Sequence, residues 1–221
     1  MKSKGLHIIV FAKAPIPGQV KTRLIPMMGP EAAAALHEKL VIHALTTAVK
    51  ANLGQVDLWC SPSCKHPFFI HCSKEFQVKL YKQPEGDLGK RMGDALKKTL
   101  KKAPNAILIG TDCPSFTEKD MKEAARAMKR GAKAVLGPAE DGGYVLIGMR
   151  HYSPELFKGI LWGTGSVMEE TRKRLQRLGW RWHELRTFWD VDRPEDVERL
   201  VRESYLEKDW SRLALPQFFL P

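Results

Sequence analysis

Lys13, Lys21 and Arg23 fall within one short stretch, Phe11 to Leu24, together with Pro15, Pro17 and Gly18. That combination suits a polyanion. Lysine and arginine neutralise phosphate oxygens, and loop N–H groups near a helix start add donors of the same sign. Prolines stiffen the loop, so less entropy is lost when a ligand orders it. Lys13, Gly18, Lys21 and Arg23 are therefore candidate nucleotide-phosphate contacts.

Carboxylates supply the complementary chemistry. Asp112 closes the apolar run Ala106 to Ile109 after Gly110 and Thr111. A carboxylate at a strand end suits a hard divalent cation, Mg²⁺ or Mn²⁺, which keeps substrate phosphates among its ligands. A second source is Asp190-Val191-Asp192, just before Pro194. Asp192 is expected to cap the last helix and to reach the metal, with Asp190 as the fallback ligand. Asp141 precedes Gly142-Gly143 and could orient a hydroxyl or act as a base; the same residues would also suit a Gly-Gly hairpin turn. Asp87 opens a helix in Gly86-Asp87-Leu88-Gly89-Lys90-Arg91. There Gly89 would let a nucleotide approach and Arg91, or Lys90, would meet a phosphate, beside plain capping by Asp87.

Positioning these groups requires strands and helices in alternation. Apolar runs predict strands near 6–12, 55–60, 77–81, 106–110, 133–137, 143–149 and 181–186. Helices are predicted near 31–50, 89–102, 118–130, 166–178 and 194–206. The alternation predicts a mostly parallel sheet with helices on both faces, whose carboxyl edge would carry the Lys13–Arg23 loop and Asp112 together. Thr117 is expected to cap the helix from Glu118. Ser166 with Glu169, and Asp192 with Glu195, read as capping boxes, and Gly179 as a C-terminal stop. An acceptor pocket is expected from segments around 60–75 and 144–165. With no linker or repeat, one domain over 1–221 is expected, with a short aromatic tail over 207–221 that would pack back or form a homodimer contact.

Composition narrows the function classes. The chain has 221 residues, 43% hydrophobic, with a formal charge of +11. Anionic ligands suit that charge, and so would nucleic acid. Much of it sits where charge is structurally cheap: Lys97, Lys98, Lys101 and Lys102 near a helix end, and Arg172, Lys173, Arg174 and Arg177 opposite an apolar face. Trp180 and Trp182 beside Arg181 could stack on bases, but a nucleic-acid role leaves the carboxylate motifs unexplained. No run approaches membrane-spanning length, and the start suggests no leader, so a cytoplasmic protein with free thiols is expected. Cys60, Cys64, His66, His71 and Cys72 cluster without a tight zinc spacing. No nucleophile elbow, His-Glu-x-x-His or Walker loop is present.

Six motifs in order carry a resemblance. They are Phe-Ala-Lys-Ala-Pro-x-Pro-Gly-x-Val-Lys-Thr-Arg-Leu (11–24), Gly-Asp-Leu-Gly-x-Arg-Met (86–92), Gly-Thr-Asp-Cys-Pro-Ser (110–115), Gly-Pro-Ala-Glu-Asp-Gly-Gly-Tyr (137–144), Trp-Gly-Thr (162–164) and Asp-Val-Asp-x-Pro-Glu-Asp (190–196). The chain resembles the radical-SAM/selenodomain-associated transferases, labelled glycosyltransferases and also met in arsenosugar gene sets. The resemblance implies a GT-A, nucleotide-diphospho-sugar transferase fold, a three-layer α/β/α arrangement. It also implies a metal-dependent transfer from a nucleotide-sugar donor to a small-molecule acceptor. It places Lys13, Lys21 and Arg23 on donor phosphates, with Lys21 and Arg23 stabilising the departing polyphosphate, Gly110 and Thr111 near the nucleotide, and Asp112 and Asp192 on the metal. The first loop and Asp-Val-Asp-x-Pro are similar, more distantly, to 2-phospholactate guanylyltransferases, which implies nucleotidyl transfer as the alternative. Many GT-A glycosyltransferases carry Asp-x-Asp where this chain has Thr111-Asp112-Cys113, a departure towards the nucleotidyltransferase pattern. A nucleotide-binding protein without catalysis is the third reading.

Overall fold

The computed structural model describes residues 5–203. Seven strands form one sheet: β1 (Leu6–Lys13), β2 (Gln55–Ser61), β3 (Lys79–Lys82), β4 (Asn105–Ile109), β5 (Ala134–Pro138), β6 (Tyr144–Met149) and β7 (Trp182–Glu184). Their order is β3-β2-β1-β4-β6-β5-β7. All pairings are parallel except those of β6, which runs antiparallel between β4 and β5. The helices are α1 (Ile25–Lys50), α2 (Pro67–Glu75), α3 (Leu88–Leu100), α4 (Glu118–Lys129), α5 (Val167–Arg177) and α6 (Pro194–Arg202).

Alternation along the strands explains the layers. Ile8 and Val10 of β1 face one way and pack with Val41 and Leu45 of α1, Phe69 of α2 and Met121 of α4. Ile9 and Phe11 face the other way, against Met92 and Leu96 of α3 and Leu175 of α5. Both faces are covered, which is why the central strands read as unbroken apolar runs. A third cluster joins Leu36 and Leu40 of α1 to Trp189, Val191 and Val197, fastening the segment before α6 to the first helix.

Several predicted boundaries are met. Asp87 caps α3, its Oδ1 accepting from the Lys90 N–H at 2.7 Å. Gly179 has φ +61° and ends α5; its own N–H and that of Trp180 bond back to Gln176 and Leu175, a Schellman pattern. Three expectations need correction. Segment 67–75 is helical rather than irregular; its aromatic and β-branched residues weakened the helix signal, while Pro67 and the His66 ring, which accepts from the Phe68 N–H, start it. Ser166 does not cap α5: its hydroxyl pairs with Thr164, and Glu169 pairs with Lys173. Asp192 does not cap α6 either. Asp196 accepts from the backbone N–H groups of Asp192 and Arg193, at 3.0 and 2.7 Å, and so caps the helix from within its first turn. The aromatic tail and the end of the predicted last helix lie outside the described residues.

Trp180 and Trp182 pack against the second core cluster, and the Trp182 indole donates to Glu184. Cys60 and Cys72 are buried in the first cluster, in β2 and α2. Among the described residues no helix is long and apolar enough to cross a membrane.

Candidate active site

Connections leave β1 in opposite directions, to β2 and β3 on one side and to β4 on the other. Such a switch point opens a crevice outside the carboxyl ends of the strands. Here it is a cavity of about 630 Å³, within the range of small-ligand sites. Lys13, Lys21, Arg23, Arg91, Gly110, Thr111, Asp112, Asp141 and Asp192 all line it, drawn from segments up to 179 residues apart in sequence. Gly18 and Gly89 do not line it. Gly18 is exposed at a loop turn with φ +80°. A Cβ on Gly89 would stand 2.2 Å from the Trp162 indole nitrogen, so this glycine is a socket for Trp162 rather than a surface for ligand. No residue of 60–75 reaches the cavity, because α2 packs beneath the sheet; the 144–165 segment contributes Tyr144, Val145 and Trp162 to Thr164.

Lys21 is the centre of the charge arrangement. Its backbone is left-handed, with φ 47° and ψ 40°. That conformation costs a non-glycine residue about 1 kcal/mol. The side chain carries it inward, where Nζ donates to Asp112 Oδ1 and to the Val191 carbonyl at 2.6 Å. The Val191 N–H returns a bond to the Asp112 carbonyl at 2.9 Å. Two segments distant in sequence are thereby tied across one lysine. Arg23 pairs with Asp192 at the more exposed rim.

Electrostatics separate the carboxylates. Burial alone would raise the Asp112 pKa, but the Lys21 charge, His37 and the Lys21 hydrogen bond outweigh it and hold it below the usual value. Asp190 behaves in the opposite way. Burial first, then the Asp112 charge, push it up to about 8. Its Oδ1 is buried with no hydrogen-bond partner. Asp141 accepts the Gly143 N–H on Oδ1 at 2.8 Å and lines the cavity. Gly142, with φ +84°, lies against the Gly165 backbone, where a Cβ would meet the carbonyl oxygen at 2.1 Å. The glycine pair therefore makes both the hairpin turn and a close crossing beside the cavity.

The site also contains residues that carried no sequence signal. His37 is buried on α1, its Nε2 3.1 Å from the Lys13 carbonyl and its Nδ1 3.9 Å from Asp112. Burial, opposed in part by the Asp112 charge, lowers its pKa. It lay unremarked inside a helical pattern, four residues before Val41 of the core face. Gln83 is buried after β3; its amide donates to the Ala12 and Trp59 carbonyls at 3.1 and 2.7 Å and accepts from Arg91.

A hard divalent cation fits the donor set. Asp112, Asp190 and Asp192 all face the cavity, and Asp190 presents an orphaned buried oxygen. Lys21 and Arg23 are paired with two of these carboxylates, Asp112 and Asp192. Among the described residues no three His, Cys, Asp or Glu side chains are drawn into one coordination cluster.

The fold has many relatives of solved structure. A Desulfovibrio desulfuricans G20 protein, provisionally named a nucleotide-diphospho-sugar transferase, is 29% identical with a TM-score of 0.83, over 95% of this chain and 91% of its own. 4-Diphosphocytidyl-2C-methyl-D-erythritol synthase superposes with a TM-score of 0.57 at 12% identity, over 89% and 98%. CMP:2-keto-3-deoxy-manno-octonic acid synthetase, in complex with CTP, gives 0.53 at 14%, over 91% and 100%. The last two share the fold alone. No curated protein matches in sequence. The family described as uncharacterized protein conserved in bacteria, DUF2064, matches residues 44–164, and the chain belongs to it.

Proposed function

We propose that the protein is a divalent-metal-dependent transferase with a nucleotide donor, transferring a glycosyl group from a nucleotide-diphospho-sugar. The observation that carries this reading is the meeting of Lys13, Lys21 and Arg23 with Asp112, Asp190 and Asp192 in one cavity at the switch point. Cations alone would serve binding; the facing carboxylates are what a metal-assisted transfer adds. The motif resemblance to radical-SAM-associated glycosyltransferases and the provisional name of the 29% identical relative support the same class.

Asp112 and Asp192, with Asp190 beside them, would hold Mg²⁺ or Mn²⁺. When bound, the metal would neutralise charge on the leaving diphosphate. Lys13, Lys21 and Arg23 would bind its oxygens, and would bind them more tightly as negative charge builds during bond cleavage. The Asp141 carboxylate would orient the acceptor hydroxyl and take its proton as the hydroxyl oxygen attacks the anomeric carbon and the bond from that carbon to the nucleoside diphosphate breaks. Trp162 and Tyr144, packed edge to face at 6.2 Å, wall the cavity beside Asp141 and Gly143.

One observation favours a second reading, nucleotidyl transfer with pyrophosphate release. The strand end carries a single carboxylate, Thr111-Asp112-Cys113, and its companions come from the 190–192 segment across the Val191–Asp112 backbone bond. Both reactions expel a polyanion, so the same cations serve either.

The test is a thermal-shift panel of nucleoside triphosphates and nucleotide sugars with and without Mg²⁺, followed by product analysis. Saturation at a hundred times Kd stabilises by about 2.7 kcal/mol, a rise of roughly 5–10 °C for a chain of this size. A Mg²⁺-dependent shift with a nucleotide sugar, and release of nucleoside diphosphate, is the expected result. Release of pyrophosphate from a triphosphate would establish the second reading. Stabilisation by nucleotide that is indifferent to metal, with no turnover, would leave a binding protein and overturn both.

A further inference from the structure

The cavity has two chemically different ends. At one, Lys21 and Arg23 are already paired with Asp112 and Asp192. At the other stands Arg91, with no carboxylate partner among the described residues. Among the described residues its guanidinium donates to the side-chain oxygen of Gln83. Burial pushes its pKa down with no neighbouring anion to raise it. A half-buried guanidinium without a counter-charge is costly unless a ligand completes its hydrogen bonds.

Gln83 leaves Arg91 little choice of direction. Both amide hydrogens of Gln83 are committed, to the carbonyls of Ala12 and Trp59, so its oxygen must face the arginine. Arg91 is thereby fixed over the ends of β1 and β2. Asp112 follows β4, on the far side of β1. β4 lies one strand spacing from β1 and two from β2, about 5–10 Å, so Arg91 sits to one side of the paired charges. Beside Gln83, apolar side chains line the cavity here. Leu88 stands one helical turn before Arg91 on α3 and is 42% exposed, and Phe11 and Met92 also line the cavity. Apolar lining beside one fixed fork of N–H donors suits an aromatic heterocycle better than a phosphate.

We propose that Arg91, held by Gln83, reads the nucleobase of the donor, and that it selects a base with two adjacent acceptors. This rests on the nucleotide-dependent reading of the cavity. Guanine offers O6 beside N7, and cytosine offers O2 beside N3. Adenine and uracil have no such adjacent pair of acceptors, and a guanidinium, which only donates, meets them with one bond instead of two. The donor is therefore a guanine or a cytosine nucleotide.

The experiment is isothermal titration of the full chain, in Mg²⁺, with GTP, CTP, ATP, UTP and inorganic pyrophosphate. The wild type is expected to bind GTP or CTP about tenfold to a hundredfold more tightly than ATP and UTP, the worth of one bidentate base contact. Arg91→Lys should collapse that ratio towards one and leave pyrophosphate affinity unchanged. Arg91→Gln keeps a partner for Gln83 and presents an acceptor beside a donor, so it should move the preference towards ATP. Four nucleotides bound alike by the wild type would overturn the base-reading role alone. So would an Arg91→Lys variant that loses pyrophosphate and all four nucleotides in equal proportion, which would make Arg91 a phosphate contact. Binding of no nucleotide would overturn the transferase reading together with this one.

Discussion

Replacing Asp112 by asparagine tests the charge arrangement at its centre. The Lys21 side chain is 4% exposed, and its ammonium has two partners, the Asp112 carboxylate and the Val191 carbonyl. Asparagine keeps an acceptor for the ammonium but removes the compensating charge. Breaking a fully buried ion pair costs about 3–5 kcal/mol, and an exposed pair is worth about 0–1 kcal/mol. The Asp112 side chain remains 47% open to the cavity, so the loss should fall between, at about 2 kcal/mol. For a chain of this size that lowers Tm by roughly 4–8 °C. Lys21→Met strands only a carboxylate that solvent reaches, so it should cost less. The cost of Asp112→Asn should largely vanish in the Lys21→Met background, a coupling of about 1–2 kcal/mol. Calorimetry of the four proteins reads this directly. Turnover of Asp112→Asn should fall about a hundredfold or more, since it also loses the carboxylate proposed to hold the metal. An equal loss of Tm in both backgrounds would refute the pairing, and wild-type turnover in Asp112→Asn would remove that carboxylate from the mechanism.

Gly89→Ala should destabilise by about 1–3 kcal/mol through overpacking against Trp162, and should weaken substrate binding as the indole shifts in the cavity wall; a fluorescence spectrum unchanged from wild type would contradict the socket. Asp196→Ala removes the acceptor that holds the N–H groups of Asp192 and Arg193, so it should cost about 1 kcal/mol and raise the Mg²⁺ concentration needed for half-maximal activity. His37 has a lowered pKa in the folded chain. The unfolded chain therefore binds more protons on the acid side of the ordinary histidine value, and stability should fall as pH drops through about 6.5. His37→Gln should flatten that part of the Tm–pH curve; an unchanged slope would assign the acid sensitivity elsewhere. Prolonged chelation should abolish turnover, and Mg²⁺ or Mn²⁺ should restore it, while activity that survives chelation would exclude the metal requirement.

Much of the architecture could be read from local pattern. The runs Leu6 to Val10 and Ala106 to Ile109 are apolar on both faces because each strand is sandwiched between helix layers, so they announce a parallel sheet without any contact being known. Capping residues whose partners lie within four positions, Asp87 and Gly179, were legible for the same reason: both halves of the interaction are close in sequence. The first loop and Asp112 could be picked out as candidates because cations beside prolines and a carboxylate after a strand suit phosphate and metal by residue type alone. Three-dimensional proximity was not legible. Asp192 satisfied a helix-start pattern, yet Asp196 took the capping bonds and left Asp192 to pair with Arg23, 169 residues away. Gly89 looked like room for a ligand and proved to be room for Trp162. His37 and Gln83 matched ordinary helix and strand-end residues. Their roles exist only because Lys13, Ala12 and Trp59 present carbonyls to them across the edge of the sheet. Patterning depends on each residue's own polarity and its near neighbours, so one sequence determines which elements form. Which side chains then meet depends on how those elements close on one another, and that only the tertiary structure decided.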